Sequence, residues 1–462
     1  MKDGKKVVIT YGTYDLFHFG HENLLRRAKE LGDYLIVGVT SDNFDKARGK
    51  LNVAQPFSVR MRAVEDTGIP DLVISEEYQG QKIDDIRKYG VDIFAIGSDW
   101  EGKFDHLKRY CDVVYLPRTE GVSSTELRAE SSKTLRMGIV GCDYIAARMV
   151  REAAHVAGVE ISGYYAPVEQ VDGFFQNSGL QKFDSQNALF ETSDAVYISV
   201  APNKRASVIE NALAEGKHVL CEGPMFLSLD AANEAFTLAE QCGLTLMEAN
   251  KTLYFPAFER LRLLLESGVI GEIKDIRASY SHVFDSLDKN DKYQGCFYDM
   301  AHYILLPALG FLGNDFKDAR LVCAYEGSFC TWTKVDLLYK CASASLSVGR
   351  GIKTEGDMVI TGTNGYIYVP APWWKLDYFE IRSEDLRDTK KHYYACVGEG
   401  QRYELMEFAR LVRDGKDAYP ATQSKDDILA LTSLVERFDK GEVLRLEQGE
   451  YAFGGGESIT DR

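Results

Sequence analysis

The sequence runs to 462 residues, enough for two or three domains that each bury a core, so more than one core is expected. Its formal charge of −16, with Lys and Arg interspersed through an ordinary globular composition, argues against duplex nucleic acid or an anionic membrane surface as partner. Nine cysteines that never form C-x-x-C point to reduced thiols, MKDGKKVVITYG carries no signal-peptide pattern, and no stretch approaches the ~20 uninterrupted apolar residues of a membrane span, so a cytoplasmic location is expected.

In chain order, KVVITYG, YLIVGVT, DLVIS, DIFAIG and VVYLP read as strands, and ENLLRRAKELG, FSVRMRAVEDTG and IDDIRKYG as the helices between them. Such alternation predicts a parallel sheet with crossover helices. RAESSKTLR, at 128–136, is polar and aperiodic, and MGIVG then opens a second alternating series through EISGYYA, DAVYISV, KHVLCEG and LTLMEAN. Strand-rich sequence follows (IKDIRASYSHV, ASASLSVGR, DMVITGTNGYIYV), then two helical stretches, GQRYELMEFARLVRDG and DDILALTSLVERFDKG, expected to close the second unit. The expected class is α/β, with domains over 1–130, 135–255 and 256–445: a Rossmann-like nucleotidyltransferase domain, a second Rossmann-like domain and an α+β domain with a mostly antiparallel sheet. A Gly-rich tail covers 446–462.

Within GTYDLFHFGHENLLRRA, His18 and His21 stand three residues apart at a helix opening, with Gly12 and Gly20 keeping the backbone open. Helix N-terminal N–H groups attract anions, and two imidazoles there can donate to α-phosphate oxygens during in-line attack. His-x-Gly-His alone reads equally well as a metal pair or as surface histidines; context decides. A second segment, VVYLPRTEGVSSTELRAE, sets Arg118 before a turn and Ser123, Ser124 and Thr125 at a helix start, where they serve as caps or hold phosphate oxygens.

GTYDLFHFGH, IGSDWEGKFD and PRTEGVSST together resemble the glycerol-3-phosphate cytidylyltransferases of the HxGH nucleotidyltransferase superfamily, over nearly all of residues 5 to 130. The resemblance implies that CMP passes from CTP to a phosphorylated polyol or sugar, with His18, His21, Lys50 and Arg118 catalytic. It further implies that Thr13, Tyr14, Asp15, Gly20, Asp99, Trp100, Arg118, Ser123, Ser124 and Thr125 bind nucleotide and that Arg60 faces the acceptor. Mg²⁺ is expected with the triphosphate, whose leaving pyrophosphate needs its charge neutralised. Two departures, Gly68 where a basic residue is usual and Ser98 in Gly97-Ser98-Asp99-Trp100, leave the acceptor open: glycerol 3-phosphate, or larger, such as fructose 6-phosphate or glucitol 6-phosphate.

From MGIVGCDYIA through VYISVAPNKRASVIENALAEGKHVLCEGPM and LMEANKTLYFPAFERLRLLLESGVIGEIKDIRASY, roughly 135 to 440, the chain resembles the glucose-fructose oxidoreductase/inositol dehydrogenase/MocA family. That resemblance implies NAD(P), with Gly141 and Ala146 at the first and third glycine positions of the phosphate turn. Asp143 fills the second, where side chain and charge oppose a pyrophosphate. No carboxylate follows EISGYYA for the ribose, Tyr165 or Ala166 standing there, and the family's Glu-Lys-Pro reads Glu222-Gly223-Pro224. Asp299, His302 and Tyr303 remain, with Lys251 as a substitute cation, but a lone His, Tyr or Lys in an apolar context is more often a packed structural residue, so these do not by themselves make the site catalytic.

Two readings follow for the second unit: an inactive partner domain, or an NAD(P)H-dependent reductase making a CDP-alditol for surface polysaccharide such as capsule or teichoic acid. A CTP-binding scaffold without turnover is a third reading of the whole chain. A homodimer or larger homo-oligomer is expected.

Overall fold

The computed structural model describes residues 4–15, 17, 19–47, 53, 57–78, 80–117, 134–156, 158–166, 173–283, 291–394, 396, 398–414 and 422–446. His18, Lys50, Arg118, Ser123, Ser124 and Thr125 lie outside the described residues, as does the tail from 447 onward.

The first sheet is parallel, in the order β3-β2-β1-β4-β5, from β1 (Val7–Gly12), β2 (Tyr34–Thr40), β3 (Leu72–Glu76), β4 (Ile93–Gly97) and β5 (Asp112–Leu116). Its helices are α1 (Phe19–Lys29), α2 (Asp42–Ala47), α3 (Phe57–Glu65) and α4 (Gln81–Tyr89). Alternate residues of β1 serve opposite faces: Val8 packs with Leu25 and Ala28 of α1, while Val7, Ile9 and Tyr11 pack with Ile86 of α4. Chain order reverses at β1, flanked by β2 and β4, so a crevice opens beyond the C-terminal ends of β1 and β4.

The second parallel sheet, β10-β9-β8-β6-β7, uses β6 (Leu135–Val140), β7 (Val159–Tyr165), β8 (Ala195–Ile198), β9 (His218–Glu222) and β10 (Leu246–Ala249). Its helices are α5 (Tyr144–Ala153), α6 (Gly173–Asn177), α7 (Gln186–Glu191), α8 (Pro202–Ala214) and α9 (Leu229–Cys242). The corresponding crevice lies between β6 and β8.

Beyond α10 (Pro256–Glu266) stands a nine-stranded sheet, β18-β17-β16-β15-β11-β14-β13-β12-β19. It begins at β11 (Ile273–His282) and is antiparallel except where β11 meets β14 (Ser343–Arg350) and β12 (Asp318–Glu326) meets β19 (Leu444–Arg445). The remaining strands are β13 (Phe329–Leu338), β15 (Met358–Gly362), β16 (Tyr366–Val369), β17 (Tyr378–Arg382) and β18 (Lys390–Tyr393). DMVITGTNGYIYV forms the β15–β16 hairpin, whereas β12, β13, β17 and β18 were not singled out from sequence.

One face of this sheet shares a continuous core with α11 (Cys296–Leu312), α13 (Lys425–Asp439) and the α8–α9 side of the second parallel sheet. The segment Lys292–Leu312 is long and apolar enough to cross a membrane, but most of it is buried inside this core. The other late helix, α12 (Gln401–Asp414), returns to the second parallel sheet: Leu405, Phe408, Ala409 and Leu411 pack with Met137, Ile139 and Met149. A helix from beyond the boundary expected at 255 thus contributes to the core of the second parallel sheet. All nine cysteines are free thiols.

Candidate active sites

The turn after β1 is built around one buried arginine. Arg60 of α3 is fully buried; it donates to the Thr13 carbonyl at 2.6 Å and pairs with Asp42 at 2.7 Å and Asp45 at 3.4 Å. Asp45 accepts from Thr40 Oγ1 at 2.5 Å and Thr13 Oγ1 at 3.2 Å. Side chains of α2 and α3 thus hold the Thr13–Asp15 turn. The expectation that Arg60 faces an acceptor is corrected here: its guanidinium is turned inward, where leaving two carboxylates unpaired would be costly.

Tyr14 follows at φ 54°, a left-handed conformation that costs a non-glycine residue on the order of 1–3 kcal/mol. Its ring is turned inward, 1% exposed, in a T-shaped contact with the His21 imidazole at 5.5 Å between centroids, and Phe17 lies 5.6 Å from the same imidazole. Gly12 makes this possible, since a Cβ there would stand 2.9 Å from the Tyr14 ring. Gly20 and His21 occupy the first turn of α1, and Asp15 is buried beside them in sequence. Across the crevice, the 3₁₀ turn Ser98–Trp100 after β4 presents Asp99 and Trp100 to solvent; Trp100 is 42% exposed, with Lys103 Nζ 5.0 Å above its ring. The structure thus brings Thr13, Tyr14, Asp15, Gly20 and His21 together on one lip and sets Asp99 and Trp100 on the other. Asp42, Asp45 and Thr40 were missed, since nothing in sequence marks a short charged helix as buried.

In the second unit Gly141 keeps φ +127°, and a Cβ there would run into the Ser199 carbonyl, so this turn admits only glycine. Asp143 caps α5: it accepts from the Ala146 N–H at 2.7 Å and from Ser199 Oγ at 2.8 and 3.0 Å, taking an amide that a phosphate would otherwise use.

At the reacting end, β9 and β10 run parallel with Glu222 beside Ala249, so Gly223 and Lys251 emerge at the same sheet edge. A Cβ at 223 would stand 2.7 Å from two carbons of the His302 ring and 2.5 Å from Glu248 Oε1. The missing lysine has thus been replaced by packed side chains. His302 is buried, neither ring nitrogen finding a hydrogen-bond partner among the described residues; burial, with Arg205 next, pushes its pKa down to about 3. Its ring lies 4.2 Å from that of Tyr303, which stacks on Tyr280 at 5.1 Å. Asp299 pairs with Arg350 at 2.6 Å.

Lys251 Nζ donates to the Glu399 carbonyl at 2.9 Å, and the Glu399 carboxylate pairs with Arg148 of α5 at 2.7 Å. Burial, with Arg148 next, holds the Lys251 ammonium below the usual lysine range. Two buried carboxyls complete the cluster. Glu222 accepts from Tyr197 Oη, and burial pushes it up to about 7; Glu404 of α12, 1% exposed, is pushed well above the carboxylate range by burial and then by Glu222. Tyr303 is raised by burial, then by the Glu222 charge. Of the residues singled out from sequence, Glu222, Lys251 and Tyr303 therefore share one electrostatic neighbourhood, His302 packs between position 223 and Tyr303, and Asp299, which also acts on Tyr303, is paired with Arg350. Glu404, Arg148 and Glu399 were missed, because they come from distant segments.

The glycine-only turn at Gly141 suits the pyrophosphate of a nicotinamide dinucleotide, whereas Asp143, which takes the Ala146 amide, departs from such a site. Among the described residues no group of three or more His, Cys, Asp or Glu side chains is arranged to hold a metal ion.

Residues 9–130 match the family described as cytidylyltransferase-like, and residues 135–250 match an oxidoreductase family with an NAD-binding Rossmann fold. Over 125 residues, 27% of this chain and 94% of the relative, the chain is 51% identical to glycerol-3-phosphate cytidylyltransferase of Staphylococcus aureus. Over 319 residues, 66% of this chain and 96% of the relative, it is 28% identical to dTDP-3,4-didehydro-2,6-dideoxy-alpha-D-glucose 3-reductase of Streptomyces antibioticus. In fold it is similar to a 3-ketoreductase from Actinomadura kijaniata solved with TDP-benzene and NADP, with a TM-score of 0.58 and 23% identity over 68% of this chain and 98% of that one.

Proposed function

Because this chain belongs to the cytidylyltransferase-like family through its first 130 residues and continues into an oxidoreductase-type unit, we propose that it transfers CMP from MgCTP to a phosphorylated polyol or sugar. An oxygen of the acceptor phosphate attacks the α-phosphorus of CTP, one P–O bond forms as another breaks, and pyrophosphate leaves. The observation that carries this reading is the placement of His21 in the first turn of α1, wedged by Tyr14 and Phe17 at the mouth of the crevice. There an imidazole meets charge as it builds on the transferring phosphate. His18, Lys50 and Arg118, with the hydroxyls of Ser123, Ser124 and Thr125, would grip the remaining phosphates. Incubation with α-labelled CTP and polyol phosphates tests the reading: label carried into a phosphatase-resistant product supports it, and label left in CTP or released as CMP alone opposes it.

Trp100 offers an exposed aromatic face to the cytosine base. Trp100→Ala is expected to raise KM for CTP about 10-fold with kcat little changed, on the ~1–3 kcal/mol scale of base–aromatic stacking. An unchanged KM would remove Trp100 from the nucleotide site.

A second reading concerns the other unit. The convergence of Glu222, Glu404, Lys251 and Tyr303, with the Lys251 amine held by the Glu399 carbonyl and Glu399 by Arg148, favours a working reductase over an inactive partner domain. A bound nicotinamide dinucleotide would supply hydride, converting a keto group of a sugar phosphate or its CDP derivative into the alcohol. Asp143 tunes this binding: its carboxylate must release the Ala146 amide before a phosphate can take it. Asp143→Gly is expected to tighten NADPH binding about 10-fold, one charge-assisted contact being worth ~1.5–3 kcal/mol. Fluorescence titration checks this, and weaker binding in the variant would mean that Asp143 assists the dinucleotide.

A further inference from the structure

The reductase reading leaves open which group meets the reacting oxygen when position 223 holds no lysine. We propose that Lys251 is that group, entering the cleft from β10 instead of β9, and that Glu404 behind it is the buried acid that restores its proton.

The geometry begins at the sheet edge. Glu222 and Ala249 are cross-strand neighbours at the C-terminal ends of β9 and β10, so Gly223 and Lys251, which opens the 3₁₀ turn Lys251–Tyr254, leave the sheet at the same end. The space that a lysine at 223 would need is already filled by His302 and Glu248. Lys251 is built into its position: its amine is fixed by the Glu399 carbonyl, and Glu399 is held by Arg148 from the opposite wall. Gly400, at φ +93°, lets the two segments approach, since a Cβ there would collide with the Phe255 ring and stand 3.5 Å from Lys251 Cδ. Glu404, one turn into α12, places Oε2 in the interior with no hydrogen-bond partner among the described residues. Helix α12 thus delivers an acid to a site formed largely by β9 and β10.

Burial favours a neutral Glu404, and the same burial eases proton release from Lys251. As the substrate's carbonyl carbon gains hydride from the reduced nicotinamide and a C–H bond forms, the C=O π pair moves to oxygen. Oxygen takes a proton from Lys251 Nζ, an O–H bond forming as N–H breaks, and the Glu404 carboxyl returns a proton to the amine. Lys251 is the catalytic residue here, and Glu404 acts through it.

The test uses the full chain and three variants: Lys251→Met, Lys251→Arg and Glu404→Gln. NADPH oxidation with ketose phosphates and their CDP derivatives is followed alongside NADPH binding by fluorescence, and side-chain amine NMR of ¹⁵N-lysine-labelled protein without nucleotide. Lys251→Met is expected to lower kcat about 100- to 10,000-fold, the range of a lost general acid, with NADPH affinity held within about twofold and partial recovery in Lys251→Arg. The amine signal lost in Lys251→Met should titrate below the exposed lysines. In Glu404→Gln kcat should fall with NADPH affinity held within about twofold, because a neutral acid that returns the proton is lost while the charges facing Lys251 from Glu222, Glu399 and Arg148 stay in place. Turnover of Lys251→Met within threefold of the parent, or a Lys251 signal titrating with the surface lysines, overturns the proposal. If the parent oxidises no NADPH with any of these ketoses, the reductase reading fails and the proposal with it; an active parent with an equally active Lys251→Met removes Lys251 alone.

Discussion

Replacing His21 by alanine is expected to lower kcat for CMP transfer about 100- to 1,000-fold, the range found when one preorganised donor to developing charge is deleted. KM for CTP should stay within a few-fold, because such a donor acts most strongly as charge builds on the transferring phosphate. The imidazole's orientation is set by its neighbours, Tyr14 at its edge and Phe17 on another side, so the turn of α1 should survive the loss of the ring. His21→Gln, which keeps a donor, should recover part of the rate. Steady-state pyrophosphate release separates the outcomes: a loss under threefold would leave His21 as a packing residue, and a loss confined to KM would make it a ground-state binder.

The second large effect is expected at Arg60. Arg60→Met leaves Asp45 buried without its cation, and such an orphaned charge costs about 3–5 kcal/mol. Asp42, which is partly exposed, loses a partner at lower cost. The Thr13 carbonyl also loses its donor, so the turn carrying Thr13, Tyr14 and Asp15 should loosen and CMP transfer should fall together with stability. Chemical denaturation of the full chain tests this through the transition that CTP shifts. A loss of several kcal/mol confined to that transition is the expected result. A loss below about 1 kcal/mol, with a raised KM for the acceptor, would restore Arg60 to an acceptor-facing role.

These two residues mark how far the sequence reaches. The place of His21 at a helix opening was legible because a glycine and a second histidine fall within four positions of it, all of it local information. The parallel sheets were legible for the same reason, each strand being a short apolar run closed by a turn. Arg60 was misread because its partners Asp42 and Asp45 lie 18 and 15 positions earlier, on a helix of six residues that nothing in the sequence marks as buried. Glycine at 223 showed that a lysine was missing; only the fold shows His302 and Glu248 closing the space from two other segments. Glu404 sits on a helix expected to close the second unit, and only the fold shows that α12 does so by packing on the second parallel sheet. Contacts between distant segments depend on tertiary register, which local periodicity does not carry.

Arg60 and Lys251 also show what burial does to a cation. Arg60 is enclosed with two carboxylates and a carbonyl, which suits a permanent structural charge. Lys251 donates to one carbonyl and faces Arg148 as well as Glu404, Glu222 and Glu399, and burial with Arg148 outweighs those carboxyls, which suits a group that gives up its proton.

The most direct test of the account is pyrophosphate release from MgCTP with glycerol 3-phosphate, ribitol 5-phosphate, glucitol 6-phosphate and fructose 6-phosphate as acceptors, each with and without NADPH while absorbance is followed. The account predicts pyrophosphate with at least one acceptor, together with NADPH consumption when a ketose phosphate is offered. Pyrophosphate without any NADPH change would leave the second unit a partner domain, and no pyrophosphate with any acceptor would contradict the central claim that this chain is a cytidylyltransferase.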